Sequence, residues 1–190
     1  MSIGKIRVQQ TGTFPLSPER QHAFEVFYSA HYAMGLGYLN RMLQNADDAY
    51  DVLTHSFELA LNRFDEYLAG DNKRYWFFGI LRNTSSYFMR KRAQEQSFLV
   101  GDLSRTIPLP QATLTPEELL LRGEEVALID RALAALPEKY REVAVLRFQD
   151  MSYKEIAAVL GLTVEAVESR MRRAIVKLEP FYAEFKAVQK

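Results

Sequence analysis

Apolar residues recur along this chain with the 3.6-residue period of α-helices, and no segment reads as a strand. The first sixteen residues show no period and carry Gly4, Gly12 and Pro15. Ser17-Pro18 then opens a helix, Ser as cap and Pro at the first helical position. Phe24, Phe27, Tyr28, Tyr32, Leu36 and Leu39 form its apolar side. Gly35 and Gly37 weaken it, each by up to about 1 kcal/mol relative to Ala. A second helix is expected from Ala46 to Phe64, with Val52, Leu53, Phe57, Ala60, Leu61 and Phe64 inward. A loop around Gly70 covers Asp65 to Asn72. A third helix covers Lys73 to Ala93 and turns Phe77, Ile80, Leu81, Thr84 and Phe88 inward.

Between Gln94 and Thr115 the period stops, interrupted by Gly101, Pro108, Pro110 and Thr113. Thr115-Pro116-Glu117-Glu118 restarts it as a capping box, and one long helix to Leu136 is expected, followed by another from Pro137 to Gln149. Ser152-Tyr153-Lys154-Glu155 is a second capping box, opening a short helix that ends at Gly161. Thr163 caps a final helix reaching about Leu178. The expected fold class is all-α: two small helical domains over 18–93 and 116–190, joined by a flexible linker over 94–115 and preceded by a loose tail over 1–17.

Composition narrows the picture. The 190 residues are 48% hydrophobic and 25% charged, a globular balance. Cysteine is absent, which excludes disulfides and thiolate metal sites and fits a reducing, cytoplasmic location. No signal peptide and no membrane span is read. The 24 basic and 24 acidic side chains cancel, yet they are segregated. Met42 to Asp71 holds seven acids against Arg63 alone, whereas Asn72 to Arg92 holds six bases and no acid. Segregated fields within a zero sum point to two kinds of partner surface, or else to chance clustering on solvated helices.

The most specific motif is Ser152 to Leu178, which reads as a helix-turn-helix. Ile156, Ala157 and Leu160 face inward from the short helix; Val164, Val167, Met171, Ala174 and Ile175 do so from the longer one. Gly161 allows the positive φ that the turn needs. Glu165, Ala166, Ser169, Arg172, Arg173 and Val176 then point outward, with Arg170 and Lys177 on the flank. Such a face suits a major groove, since Arg pairs bidentately with guanine and Ser bonds to base or phosphate. The plainer reading is a helical hairpin with a solvated charged face.

On the third helix the outward face shows Gly79, Arg82, Asn83, Ser86 and Arg90, with Trp76 and Tyr87 along one edge. Cations beside aromatics suit single-stranded DNA, whose phosphates need positive charge and whose bases stack for roughly 1–3 kcal/mol each. Trp76 reads equally as core. His22, His31 and His55 are scattered, Asp47, Asp48 and Asp51 read as a solvated acidic face, and no nucleophile, paired carboxylates or phosphate loop is present. No enzyme chemistry and no cofactor is therefore expected.

These residues resemble the sigma-seventy family, specifically its extracytoplasmic-function class. The resemblance is strongest in Leu136-Pro137-Glu138-Lys139-Tyr140-Arg141-Glu142-Val143, in Tyr153 to Leu162 and in Val167 to Ala174. It extends to Asp48-Ala49-Tyr50-Asp51-Val52 and to Trp76-Phe77-Phe78-Gly79-Ile80-Leu81-Arg82-Asn83. It implies a subunit that directs RNA polymerase to promoters and assists their melting. Glu165, Ser169, Arg170, Arg172 and Arg173 would read the minus-thirty-five duplex. Trp76, Arg82, Asn83, Ser86, Tyr87 and Arg90, with the Asp65–Asn72 loop, would hold the melted minus-ten strand. Asp48, Asp51, Val52, Thr54 and His55 would dock on the clamp of the polymerase's largest subunit, and the linker would thread near its active centre. An anti-sigma factor, often membrane-anchored, is the implied regulator.

Five positions depart from the family pattern. Thr54 and His55 stand where Gln and an acid are common, Tyr87 where Asp is, Glu168 where a basic or polar residue is, and Ala166 where Thr is. A stand-alone helix-turn-helix regulator is the alternative, but it leaves the basic-aromatic helix without a use. An α-helical adaptor that binds no DNA leaves Ser169, Arg172 and Arg173 without one.

Overall fold

A computed structural model of the chain describes residues 17–70, 73–99 and 116–188, and within them every regular element is a helix. Helices α1 (Pro18–Leu43), α2 (Ala46–Asn62), α3 (Phe64–Ala69) and α4 (Lys73–Leu99) make the first half. Helices α5 (Pro116–Ala134), α6 (Glu138–Phe148), α7 (Tyr153–Leu160) and α8 (Val164–Val188) make the second. The all-α expectation holds. The tail before Ser17 and residues 100–115 of the expected linker lie outside the described residues.

Local chemistry accounts for the helix starts. Ser17 Oγ accepts the Arg20 amide at 3.3 Å, and Asn45 Oδ1 accepts the Asp48 amide at 2.9 Å. Phe27 then organises the first core, with the rings of Phe24, Phe57, Phe64, Tyr67 and Phe77 within 4.6–5.9 Å of it. Gly35 has a use that helix propensity hides: a Cβ there would lie 2.8 Å from Leu53 Cδ1 and 3.4 Å from Phe77, so its bareness lets α1 approach α2 and α4.

Four expected boundaries differ. The Asp65–Asn72 loop is helical up to Ala69, because Phe64 and Tyr67 stack at 5.2 Å and anchor one more turn on the core; Asp71 and Asn72 lie outside the described residues. Helix α4 continues past Ala93 to Leu99, polar residues with good helix propensity carrying it on. The long helix after Pro116 is broken at Gly123, whose φ of 73° and ψ of 150° only glycine adopts readily, and it ends at Ala134 rather than Leu136. Helix α8 passes through Pro180 to Val188, where half-buried Phe181 and Phe185, and Glu184 bonded to Arg131 at 3.1 Å, tie it back.

The two halves share one continuous core. Helix α1 packs on α5 and α6, and α4 packs on α7. Phe78 and Ser85 of α4 are buried for this reason, although neither belongs to the inward stripe formed by Phe77, Ile80, Leu81, Thr84 and half-buried Phe88.

Candidate nucleic-acid interface

The turn between α7 and α8 is built as its sequence requires. Ser152 Oγ accepts the Glu155 amide at 3.3 Å while Glu155 Oε2 accepts the Ser152 amide at 2.7 Å, a closed capping box. Gly161 ends α7 at φ 64°, and Thr163 Oγ1 then accepts the Ala166 amide at 3.2 Å to start α8. Val167, Met171 and Ala174 are buried against α6 and α7. Glu165, Arg172 and Arg173 are exposed, with Ser169 and Arg170 half-buried beside them. The five residues therefore share one accessible edge. Ile175, expected inward, is instead 58% exposed, and its neighbours Val176 and Lys177 are exposed as well.

The cations of this edge stand close to α6. The Arg173 guanidinium beside the Tyr140 hydroxyl holds its pKa below the usual phenol range, and Lys139 acts in the same direction. Arg170 lies near enough to Glu142 to favour that carboxylate's charge.

On α4, Asn83, Tyr87 and Arg90 are exposed while Trp76, Arg82 and Ser86 are half-buried. Arg82 is engaged twice, Nε donating to Glu142 Oε1 at 3.3 Å and Nη1 to Asn83 Oδ1 at 3.3 Å. Arg90 Nε donates to the Ser86 carbonyl at 3.3 Å. Trp76 is half-buried. Its ring packs 5.5 Å from Tyr67 and 6.2 Å from Phe27, yet its Nε1 reaches out to Glu66 Oε2 at 3.5 Å. An open cleft of about 520 Å³ runs along this face, lined by Arg82, Asn83, Ser86 and Arg90 on one side and by Glu138 on the other.

The α2 residues separate. Asp51, Thr54 and His55 are exposed, the Thr54 hydroxyl donating to the Tyr50 carbonyl at 3.0 Å and His55 lying 3.4 Å from Glu58. Asp48 is half-buried in an ion pair with Arg92. Val52, which the helical period placed inward and the resemblance placed on the docking face, is only 5% exposed and belongs to the core. Its position beside Leu53 on the helix circumference makes it a packing residue, and it is removed from the docking face. Among the described residues no group of His, Asp and Glu could hold a metal ion, and no helix is long and apolar enough to cross a membrane.

Sequence reading missed the residues that join the halves. Arg141 is buried: Nε donates to the Leu133 carbonyl at 3.1 Å, Nη2 to those of Ala134 and Leu136 at 2.8 Å each, and Nη1 to Met42 at 3.4 Å. It caps the C-terminal end of α5 and touches that of α1, where helix carbonyls lack partners. Burial lowers its pKa, opposed by Glu138. Tyr38 is fully buried and burial pushes its hydroxyl pKa far up. The one available signal was Arg141 itself, a cation inside the apolar run Tyr140 to Leu146.

The family model described as "Sigma-70, region 4" matches residues 127–178, which hold the capping box, the Gly161 turn and the exposed edge of α8. The ECF RNA polymerase sigma factor EcfG of Rhodopseudomonas palustris is 33% identical over 138 residues, covering 70% of this chain and 71% of that protein. The chain belongs to the extracytoplasmic-function (ECF) sigma factors. The RNA polymerase sigma factor YlaC of Bacillus subtilis is 28% identical over 163 residues, 85% of this chain and 92% of YlaC. Among solved structures, CnrH in complex with the cytosolic domain of CnrY superposes with a TM-score of 0.59 at 28% identity, covering 86% of this chain and 90% of CnrH. As an ECF sigma factor the protein serves transcription initiation. Both halves of the molecule belong to that family architecture, since EcfG and YlaC match well beyond region 4.

Proposed function

We propose that this ECF sigma factor divides promoter recognition between its halves: α8 reads a minus-thirty-five element as duplex, and α4 holds the melted minus-ten strand. The observation that carries the division is the difference between the two surfaces. The α8 edge offers Glu165, Ser169, Arg170, Arg172 and Arg173 on one helix that follows a tight Gly161 turn, a shape that fits a major groove. The α4 face instead offers Arg82, Asn83, Ser86 and Arg90 beside Tyr87, 51% exposed, and the edge of Trp76. Flat rings next to cations favour unstacked bases. Residues 18–93 then form the unit for polymerase and minus-ten binding, and 116–190 the unit for the minus-thirty-five element.

The exposed acidic side of α2, Asp51 with Thr54 and His55, is assigned to the polymerase clamp, and Asp48 joins it only if Arg92 lets go. The protein supplies specificity while the polymerase supplies catalysis, so it is not an enzyme and acts in the cytoplasm on DNA. CnrH binds CnrY through its complex, and a comparable anti-sigma protein, membrane-held or not, is assigned here as the regulator.

Run-off transcription with purified core polymerase tests the division. Wild-type protein is expected to start transcription at a defined site, and Tyr87→Ala to impair opening of a fully paired promoter more than binding to it. A folded Tyr87→Ala protein that opens paired and premelted promoters as well as wild type removes α4 from melting. Failure to bind core polymerase at micromolar concentration removes the docking assignment.

A further inference from the structure

An aliphatic side chain stands in the middle of the polar stripe on α8. At about 100° per residue, Glu165, Ser169, Arg172 and Val176 point within about 60° of one another, with Arg173 beside them. The stripe lies opposite Val167, Met171 and Ala174, which are buried against α6 and α7. Val176 is accordingly 67% exposed. Arg172 and Arg173 one turn before it, and Glu179 and Pro180 one turn after, are exposed too, so neither adjoining turn covers its methyls. Ile175 is exposed to a similar degree, but it points about 100° away from Val176, off the stripe. A lone exposed valine is ordinary on a protein surface; the place of Val176 on this stripe gives it a use.

We infer that Val176 reads sequence: its methyls seat against the C5-methyl of a thymine in the minus-thirty-five duplex. The inference rests on the assignment of α8 to that duplex. An α-helix with its side chains is about 10–12 Å across, which matches the major groove, so the centre of the stripe meets the base edges. Among the groups that base pairs present there, the thymine methyl is the apolar one. The nitrogen and oxygen atoms of the other edges need polar partners, and a valine pressed against them leaves them without any. A lysine or arginine at this place bends its long stem aside, whereas valine is short and stiff at χ1 and stays where the helix points it. Ser169 stands two turns earlier, about 10 Å along the axis, with Arg172 and Arg173 between. Polar and apolar contacts are thus spread along the groove instead of competing for one base pair. Ser169 and the arginines select by hydrogen bonding, and Val176 adds a demand for one methyl.

The test uses the whole chain bound to core polymerase. This holoenzyme selects a site from a pool of promoter duplexes randomised over the minus-thirty-five element. Each thymine of the selected site is then replaced in turn by uracil, which removes the C5-methyl and keeps the hydrogen-bonding edge. Wild type is expected to lose about fourfold in affinity at one thymine, the worth of one buried methyl. Val176→Ala should bind the thymine and uracil duplexes alike at that position and respond as wild type at every other. Ile175→Ala, an exposed aliphatic lost from beside the stripe, should keep the full discrimination. The thymine-to-uracil ratio is taken within each protein, so it is indifferent to how much of a variant is folded. A selected site in which wild type senses no thymine methyl overturns the inference, as does a Val176→Ala protein that still discriminates at every position where wild type does. Uniform weakening of the Val176→Ala protein on thymine and uracil duplexes would place Val176 on the sugar–phosphate backbone, and so overturn it too. Arg173→Ala in the same assay separates the two layers. If its affinity and preference equal those of wild type, α8 does not read this element and both readings fall. If Arg173 matters and no methyl is sensed through Val176, the α8 assignment stands and only the inference about Val176 falls.

Discussion

The hydroxyls of Ser56 and Thr84 meet at 2.7 Å, buried between α2 and α4. Each is also bonded to its own helix, Ser56 to the Val52 carbonyl at 2.7 Å and Thr84 to those of Ile80 and Leu81 at 3.0 Å. The pair is a small polar lock inside an apolar layer. Removing one hydroxyl strands its partner only in part, because the helix carbonyls remain. Thr84→Val is expected to cost about 1 kcal/mol and Ser56→Ala a similar amount, with the double variant costing less than their sum. Urea unfolding of the four proteins measures the coupling, and strict additivity would show that the contact contributes nothing.

Gly161 holds φ 64° with open space where a Cβ would stand, so the objection to a side chain is purely conformational. Gly161→Ala should destabilise the fold by about 1 kcal/mol or somewhat more, and Gly161→Asn by less, since Asn tolerates the left-handed region. Equal costs for the two would place the strain elsewhere. Duplex binding per folded molecule should change little, because the turn residue itself is not on the reading edge.

Glu142 predicts a pH dependence. Burial raises its pKa above the ordinary carboxylate value of 4.5, with Arg82 pulling it back. The charged or titratable groups facing it are Arg82 on α4, Tyr38 on α1, Arg170 on α8 and Glu138 on its own helix. A raised native pKa means that the folded protein binds this proton more readily than the unfolded chain. The contribution to stability is therefore full below the unfolded value and is lost as pH rises through the native one. Glu142→Gln, which keeps an acceptor for Arg82, should be at least as stable as wild type near pH 7 and should lose that advantage on acidification. Unfolding curves across that interval check the sign, and a wild-type advantage at neutral pH would mean that the Arg82 pair outweighs burial.

Arg173 is exposed and stands beside the Tyr140 hydroxyl, whose pKa it lowers. Arg173→Ala should weaken binding to a cognate minus-thirty-five duplex by about 1–3 kcal/mol and relax preference at one base pair. Tyr140→Phe, which removes the hydroxyl and keeps the ring, should weaken it less. Equal losses on cognate and scrambled duplex would assign Arg173 to phosphate contact instead.

The sequence by itself determined the helices and the turn. Ser17 and Ser152 are caps whose oxygen must meet amides a few residues on, and Gly161 is the residue that a left-handed turn favours; such chemistry is local and can be read in order. It also determined which face of α8 is accessible as far as Arg173, since one hairpin decides that. What only the tertiary structure decided lies where distant segments meet. Ile175 was misplaced because a helix circumference shows which residues are apolar, not how far the neighbouring helix extends over them. Arg141 and Glu142 had no readable role, because Arg141 gathers carbonyls from the ends of α5 and α1 and Glu142 takes Arg82 of the other half. Arg82 shows the difference most plainly: its sequence marks it as a cation for DNA, but that a carboxylate sixty residues away already holds it follows only from how the two halves pack.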